Sequence, residues 1–211
     1  MTDNIWLQTA TRNLLALSVN KSSFQKARNE WVYAGLEDNE NSDYTCELCE
    51  HPDIRYEYTI RNINNENKMI VGSSCINKFI DAFEEDNEAF YDENDNIVTK
   101  NRIKNDKKNY WKKILSSALK DNFYNAGFQQ SISDTIIEEE KLTINQAKYL
   151  INFYNTLNQN EQSAFRHIVK IKLSRDKHKG QYTDLNSNQK KFIDMILSSQ
   201  QLQRIQEQEN E

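Results

Sequence analysis

The sequence predicts an α+β protein, mostly helical, with a small zinc-stabilised β-hairpin of treble-clef-like plan. Three observations predict it. The 211 residues include only four Gly and one Pro, and so few breaks favour long helices. A short stretch from Ile54 to Val71 concentrates the β formers. All three cysteines, Cys46, Cys49 and Cys75, flank that stretch. A Cys-x2-Cys pair with a third thiol nearby suits tetrahedral zinc.

Composition narrows the class. Hydrophobic residues make up 37% of the chain, below the usual globular share, and mean hydropathy is -0.89. Ten Tyr, nine Phe and three Trp still supply a core. The net charge of -5 argues against a generally basic nucleic-acid coat, although local patches survive the sum. No apolar run approaches the ~20 residues that span a bilayer, and the first residues lack a secretory pattern. Three thiols cannot pair completely, so a reducing, cytoplasmic setting is expected.

The elements follow in order. Residues 4–35 read as two short helices, with Trp31 among their apolar positions and the second opening near Ser22 and Ser23. Residues 38–43 form an acidic connector. Ile54 to Ile60 can alternate faces as a strand, residues 62–67 supply a turn, and Lys68 to Val71 return. Ser73 or Ser74 then caps a helix with Ile76, Phe79, Ile80 and Phe83 on one face. Cys75 falls in its first turn, where the helix N-terminus favours a thiolate.

Charge segregates next. Seven carboxylates lie between Glu84 and Asp95 without one basic residue. They could imitate nucleic-acid phosphates toward a partner, or simply form a solvated linker. A basic stretch over 100–113 begins a helix running to about Phe123. Further on, Leu142-Thr143…Gln146, Leu157-Asn158…Glu161 and Leu185-Asn186…Gln189 share one form. Each fits a capping box or its Asn-capped analogue, predicting helices from about 144, 159 and 187. From Gln200 the chain is expected to fray. The organisation expected is 1–97, N-terminal helices plus zinc module, and 98–211, a helical domain.

Candidate site residues come from these patterns. Cys46, Cys49 and Cys75 are the metal ligands, with His51 the preferred fourth. Asp43, Asp53, His167, His178 or a water compete for that place. Nucleic-acid contact would fall on Lys104, Lys107, Lys108, Trp111 and Lys112 in the first basic stretch. In the second, 166–179, it would fall on Lys172, Arg175 and Lys177. The alternative is a solvated helix face with Trp111 in the core. Nothing in the sequence brings a His base to Cys75, and no deaminase, metalloprotease or phosphate-loop signature is present, so no enzyme is expected.

Residues 28–80 resemble a group of small phage, plasmid and viral proteins. The resemblance rests on Trp31, Cys46, Cys49, Ile54, Ile60, Asn62, Val71, Gly72, Ser73, Cys75, Ile76 and Phe79. The group usually has Gly after the second Cys, where this chain has Glu50. The resemblance implies a mobile-element origin and a binding role. The expected protein is therefore a non-enzymatic accessory factor with Zn2+. Its partner would be a host complex handling DNA or RNA, such as an RNA polymerase, replication machinery or a CRISPR effector. The alternative is direct DNA or RNA binding through 100–113 and 166–179.

Overall fold

The computed structural model describes the backbone of residues 2–122, 128–173 and 176–209. The chain is α+β, mostly helical, with a small antiparallel sheet. It divides into two compact units, Met1–Lys107 and Lys108–Glu211. Among the described residues no helix is long and apolar enough to cross a membrane.

The first unit opens with α1 (Thr2–Leu17) and the short α2 (Phe24–Arg28). Ser23 caps α2, its side chain accepting the Lys26 N–H at 3.3 Å. Trp31 belongs to neither helix. It begins β1 (Trp31–Asp38), a strand that the apolar spacing did not reveal. The Trp-Val-Tyr run alternates Trp31 and Tyr33 into the core, which is strand rather than helix chemistry. A bulge shifts the register between Tyr33 and Gly35, and Gly35 takes φ 141°, a conformation that side chains resist.

β2 (Tyr56–Asn62) is the central strand, with β1 on one side and β3 (Lys68–Val71) on the other. The expected hairpin is thus two strands of a three-stranded sheet. Asn62 closes the turn, its side-chain oxygen accepting the Asn64 N–H at 2.8 Å.

α3 (Ser73–Glu85) follows β3 directly. Gly72 occupies its cap position, and neither Ser73 nor Ser74 caps it as expected. Ile76, Phe79, Ile80 and Phe83 are buried as the spacing predicts. Phe79 meets Phe24, Phe83 and Phe90 edge-on, at centroid distances of 6.1, 5.6 and 5.3 Å. Such rings are worth about 0.5–1.5 kcal/mol per pair beyond the area they bury.

Two buried charges brace this unit. The Glu30 carboxylate accepts the backbone N–H groups of Val19 (2.7 Å) and Asn20 (2.6 Å) and the Asn62 amide (2.8 Å). Burial pushes its carboxyl upward, but these hydrogen bonds outweigh it and hold the group below the usual glutamate range. Arg28, buried beneath the Phe83 ring, pairs with Asp86 at 2.6 Å and Glu88 at 3.1 Å.

α4 (Lys100–Asn122) spans the boundary between the units, residues 108 onward falling in the second. The second unit continues with α5 (Phe128–Glu139), β4 (Lys141–Leu142) and α6 (Ile144–Ala147). A 3-10 turn at Lys148–Leu150 leads into α7 (Ile151–Thr156) and α8 (Gln159–Ile168). β5 (Lys170–Ile171) pairs in parallel with β4. Then come α9 (Asp176–Thr183), α10 (Ser187–Ile196) and α11 (Ser199–Glu209).

All three expected capping boxes are present, at Thr143/Gln146, Asn158/Glu161 and Asn186/Gln189. A fourth was not anticipated. Ser198 N–H donates to Gln201 Oε1 at 3.0 Å, and Gln201 N–H to Ser198 Oγ at 3.3 Å. This box starts α11, so the tail expected to fray from Gln200 is helical to Glu209. In all four, the leucine before the cap is buried.

Candidate metal centre

The centre lies wholly in the first unit. Cys46 and Cys49 sit on a tight knuckle before β2, and Cys75 in the first turn of α3. The knuckle is closed by its own backbone. Cys46 N–H donates to His51 O at 2.9 Å, and Glu50 N–H to Cys46 O at 2.7 Å. Glu50 therefore adopts φ 63°, the left-handed conformation for which glycine is favoured. Its carboxylate is anchored by Arg12 at 2.5 Å and Asn13 at 3.2 Å, both from α1.

Gly72 brings α3 onto the knuckle. A Cβ there would stand 3.0 Å from Ile54 Cγ2, so a larger residue would push the two apart. The close approach lets Gly72 N–H reach Cys46 Sγ at 3.3 Å.

The result is a cluster of three thiols whose sulfur atoms lie within 4.8 Å of one another. Tetrahedral zinc with ~2.3 Å bonds needs sulfurs about 3.8 Å apart, a separation compatible with this bound. The surroundings favour a thiolate at Cys46 alone. Hydrogen bonding from the Cys75 thiol draws Cys46 down to about 5, helped by the N–H groups of Gly72, Cys49 and Leu48 and opposed by burial. Cys75 is pushed up because it donates to Cys46, with burial adding to the effect. Cys49 is also raised, chiefly by burial. Trp6 Nε1–H reaches Cys75 Sγ at 3.3 Å and so ties α1 to the centre. The three cysteines could hold a metal ion.

His51 is not part of the three-sulfur cluster. It lines the same cavity of about 370 Å³, with Arg55, Tyr56 and Lys78 on the walls. Asp43 and Asp53 are exposed and also outside the cluster. His167 is in the second unit, its ring stacked on Trp111 with centroids 4.8 Å apart. The side chain of His178 lies outside the described residues.

Among the described residues, several of the expected basic contacts are already engaged within their own unit. Lys104 is exposed. Lys107 lies 3.5 Å from the centre of the Tyr56 ring, its ammonium pushed down by burial and then by Arg55. Lys108 and Lys112 both pair with Glu140, at 2.6 and 3.4 Å. Lys172 pairs with Glu139 at 2.5 Å. Trp111 is 1% exposed, so its ring is core and cannot stack a base. Arg175 and the side chain of Lys177 lie outside the described residues.

The acidic run is not a free strip either. Beyond the two held by Arg28, Glu93 pairs with Arg61 at 2.5 Å. Asp92 is buried and accepts the N–H groups of Asn94 and Asn96, each at 2.9 Å.

Sequence reasoning missed Trp6 as support for the site, and Glu30 and Arg28 as braces of the unit that holds it. Each reads locally as a helix or linker residue, and its partner lies far along the chain. Comparison with protein-family models, curated proteins and solved structures gives no match.

Proposed function

We propose that the three-cysteine centre binds Zn2+ as a structural ion, with His51 completing the shell. On this reading the protein is a non-enzymatic accessory factor of phage or mobile-element type. It acts in the host cytoplasm by binding, and modulating or inhibiting, a host complex that processes nucleic acid. The observation that carries the zinc assignment is the convergence of three thiols from a knuckle and a helix start, with backbone N–H groups aimed at Cys46. Soft thiolates at this spacing select zinc over the hard cations.

A protein partner is favoured over direct nucleic-acid binding. Three of the lysines that would track phosphates are paired with Glu139 or Glu140, and Trp111 is buried. When bound, zinc would fasten the knuckle to α3. The residues of this chain then hold their geometry: Gly72 permits close approach, and Trp6 steadies Cys75.

The test has two arms. Elemental analysis of purified protein should find one zinc per chain, lost in Cys46→Ala. Tagged protein should retain a discrete host complex after nuclease treatment. A metal content unchanged by Cys46→Ala would sink the centre. Recovery of nucleic acid alone, lost on nuclease treatment, would move the function to direct binding.

A further inference from the structure

We infer that the first unit carries a docking groove for a short basic and apolar segment of a partner protein. The inference rests on the protein-partner reading above and names its surface. It uses neither the metal nor the basic helix.

A cavity of about 630 Å³ opens beside the start of β1 and the segment that follows α3. Its apolar lining is Trp31, Val32, Ile63, Phe83, Ala89 and Tyr91. Ile63 is 51% exposed and Tyr91 42%, while Trp31 and Phe83 are buried. The groove therefore has a fixed floor and two large apolar groups standing in water. That exposure costs free energy unless something covers it. The volume falls in the range of pockets that take a small organic group, about 300–1,000 Å³, so side chains of a peptide fit within it.

The charged lining residues are Glu88 and Asp95, and no Lys or Arg lines the groove. The surrounding run stays acidic after its internal pairs are counted. Arg28 offers one positive charge to two carboxylates, Asp86 and Glu88. Among the described residues, Glu85 and Asp95 have no ion pair within the unit, and Glu84 acts only at longer range on Lys100, which pairs with Asp81; all three carboxylates are exposed. A Lys or Arg beside an aliphatic or aromatic side chain would match both features at once. A second copy of this chain is a poor occupant, because its net charge is -5.

The walls are pre-set. Tyr91 O accepts the Tyr33 N–H at 2.9 Å, which fixes the segment against β1. Asn87 and Asp95 hold left-handed turns at φ 57° and 61°, and Ile63 N–H donates to Glu30 O at 2.8 Å. A groove held this way loses little freedom when filled.

The test uses the 211-residue protein and a random-sequence peptide library as the probe. Enriched peptides should combine Lys or Arg with large apolar residues. Binding of an enriched peptide should be lost in Ile63→Asp, fall several-fold in Asp95→Asn, which keeps a residue suited to the left-handed turn, and weaken with salt. Both positions are exposed, so the variants should keep the wild-type circular dichroism. Tyr91→Ala is a further variant that adds no charge and should weaken binding in the same way. Acidic or uncharged enriched peptides would overturn the inference, as would enrichment equal to that of Ile63→Asp or no enrichment at all. Retention of the host complex by tagged wild type and by Ile63→Asp separates the groove from the partner reading. Loss of the complex in Ile63→Asp supports the groove. A host complex retained equally by Ile63→Asp would overturn the groove and leave the partner reading standing.

Discussion

In the first unit, the contacts that shape the metal centre join residues far apart in the chain. Trp6 reaches Cys75 and Gly72 reaches Cys46. In the second unit, the contacts that start four of its helices join residues three apart, from Thr143/Gln146 to Ser198/Gln201. The first kind of contact forms only when the whole unit closes. The second forms as soon as one turn of helix does, so each box works almost independently of its neighbours. A perturbation should therefore spread through the first unit and stay local in the second.

The strongest way to break this contrast is at the centre itself. Cys46→Ala, or chelation of the proposed zinc, should cost several kcal/mol, because structural zinc binding there is coupled to folding. Hydrogen exchange should show protection lost from the knuckle, β2, β3 and the start of α3 together. Protection in α8 and α10 should be retained. Loss throughout the second unit as well would mean the two units do not separate as argued.

Next in size is Glu30→Gln, expected to cost about 1.5–3 kcal/mol at neutral pH, because it weakens three hydrogen bonds to a buried charge. The sign with pH follows from the direction of the shift. The folded carboxyl lies below its ordinary value, so its stabilisation is fully present above the ordinary glutamate range. It is lost as pH falls through the lower, folded value. The gap between wild type and Glu30→Gln in denaturant melts should narrow as the pH is lowered there. A gap that widens would refute the assignment.

Trp6→Phe should come third. It keeps an aromatic ring near Phe24, whose centroid is 6.1 Å from that of Trp6. It removes the N–H donor to Cys75, and such supporting bonds are worth about tenfold or more in metal affinity. Competition with a zinc chelator measures the change. Affinity should also fall as pH is lowered, because Cys49 and Cys75 hold raised thiol protons that a metal must displace.

Asn158→Ala should cost about 1 kcal/mol, the usual worth of a cap. Its hydrogen-exchange signature should be confined to the first turn of α8. The smallest effect is expected from Glu50→Gly. It relieves a left-handed side-chain residue but releases the exposed Arg12 and Asn13 contacts, so the two effects oppose and the melting temperature should barely move. Thermal melts in low and high salt would separate the two contributions.

Legibility followed the same division. The helix starts at 144, 159 and 187 were readable because each cap and its partner lie within one turn. The fourth box, with Ser at the cap and Gln201 three later, carries the same form and went unread beneath the Gln-rich composition around it. The strand at Trp31 was misread because its bulge at Gly35 breaks the alternation that marks a strand. The buried face of α3 was clear from Ile76, Phe79, Ile80 and Phe83. Its cap was not, since Gly72 is chosen for close approach to Ile54 rather than for hydrogen bonding.

By itself, the sequence determined the three-thiol pattern, the two returning strands, the apolar face of α3 and the capped helix starts. All of these depend on neighbours a few residues away, where side-chain chemistry and backbone period act directly. Tertiary structure alone decided that Trp6 serves Cys75, that Glu30 gathers the loop after α1, and that Trp111 is core. It also decided which carboxylates of the acidic run are matched internally by Arg28 and Arg61. Those outcomes require residues tens of positions apart to meet, and which long-range pair closes is set by the packing of the whole unit.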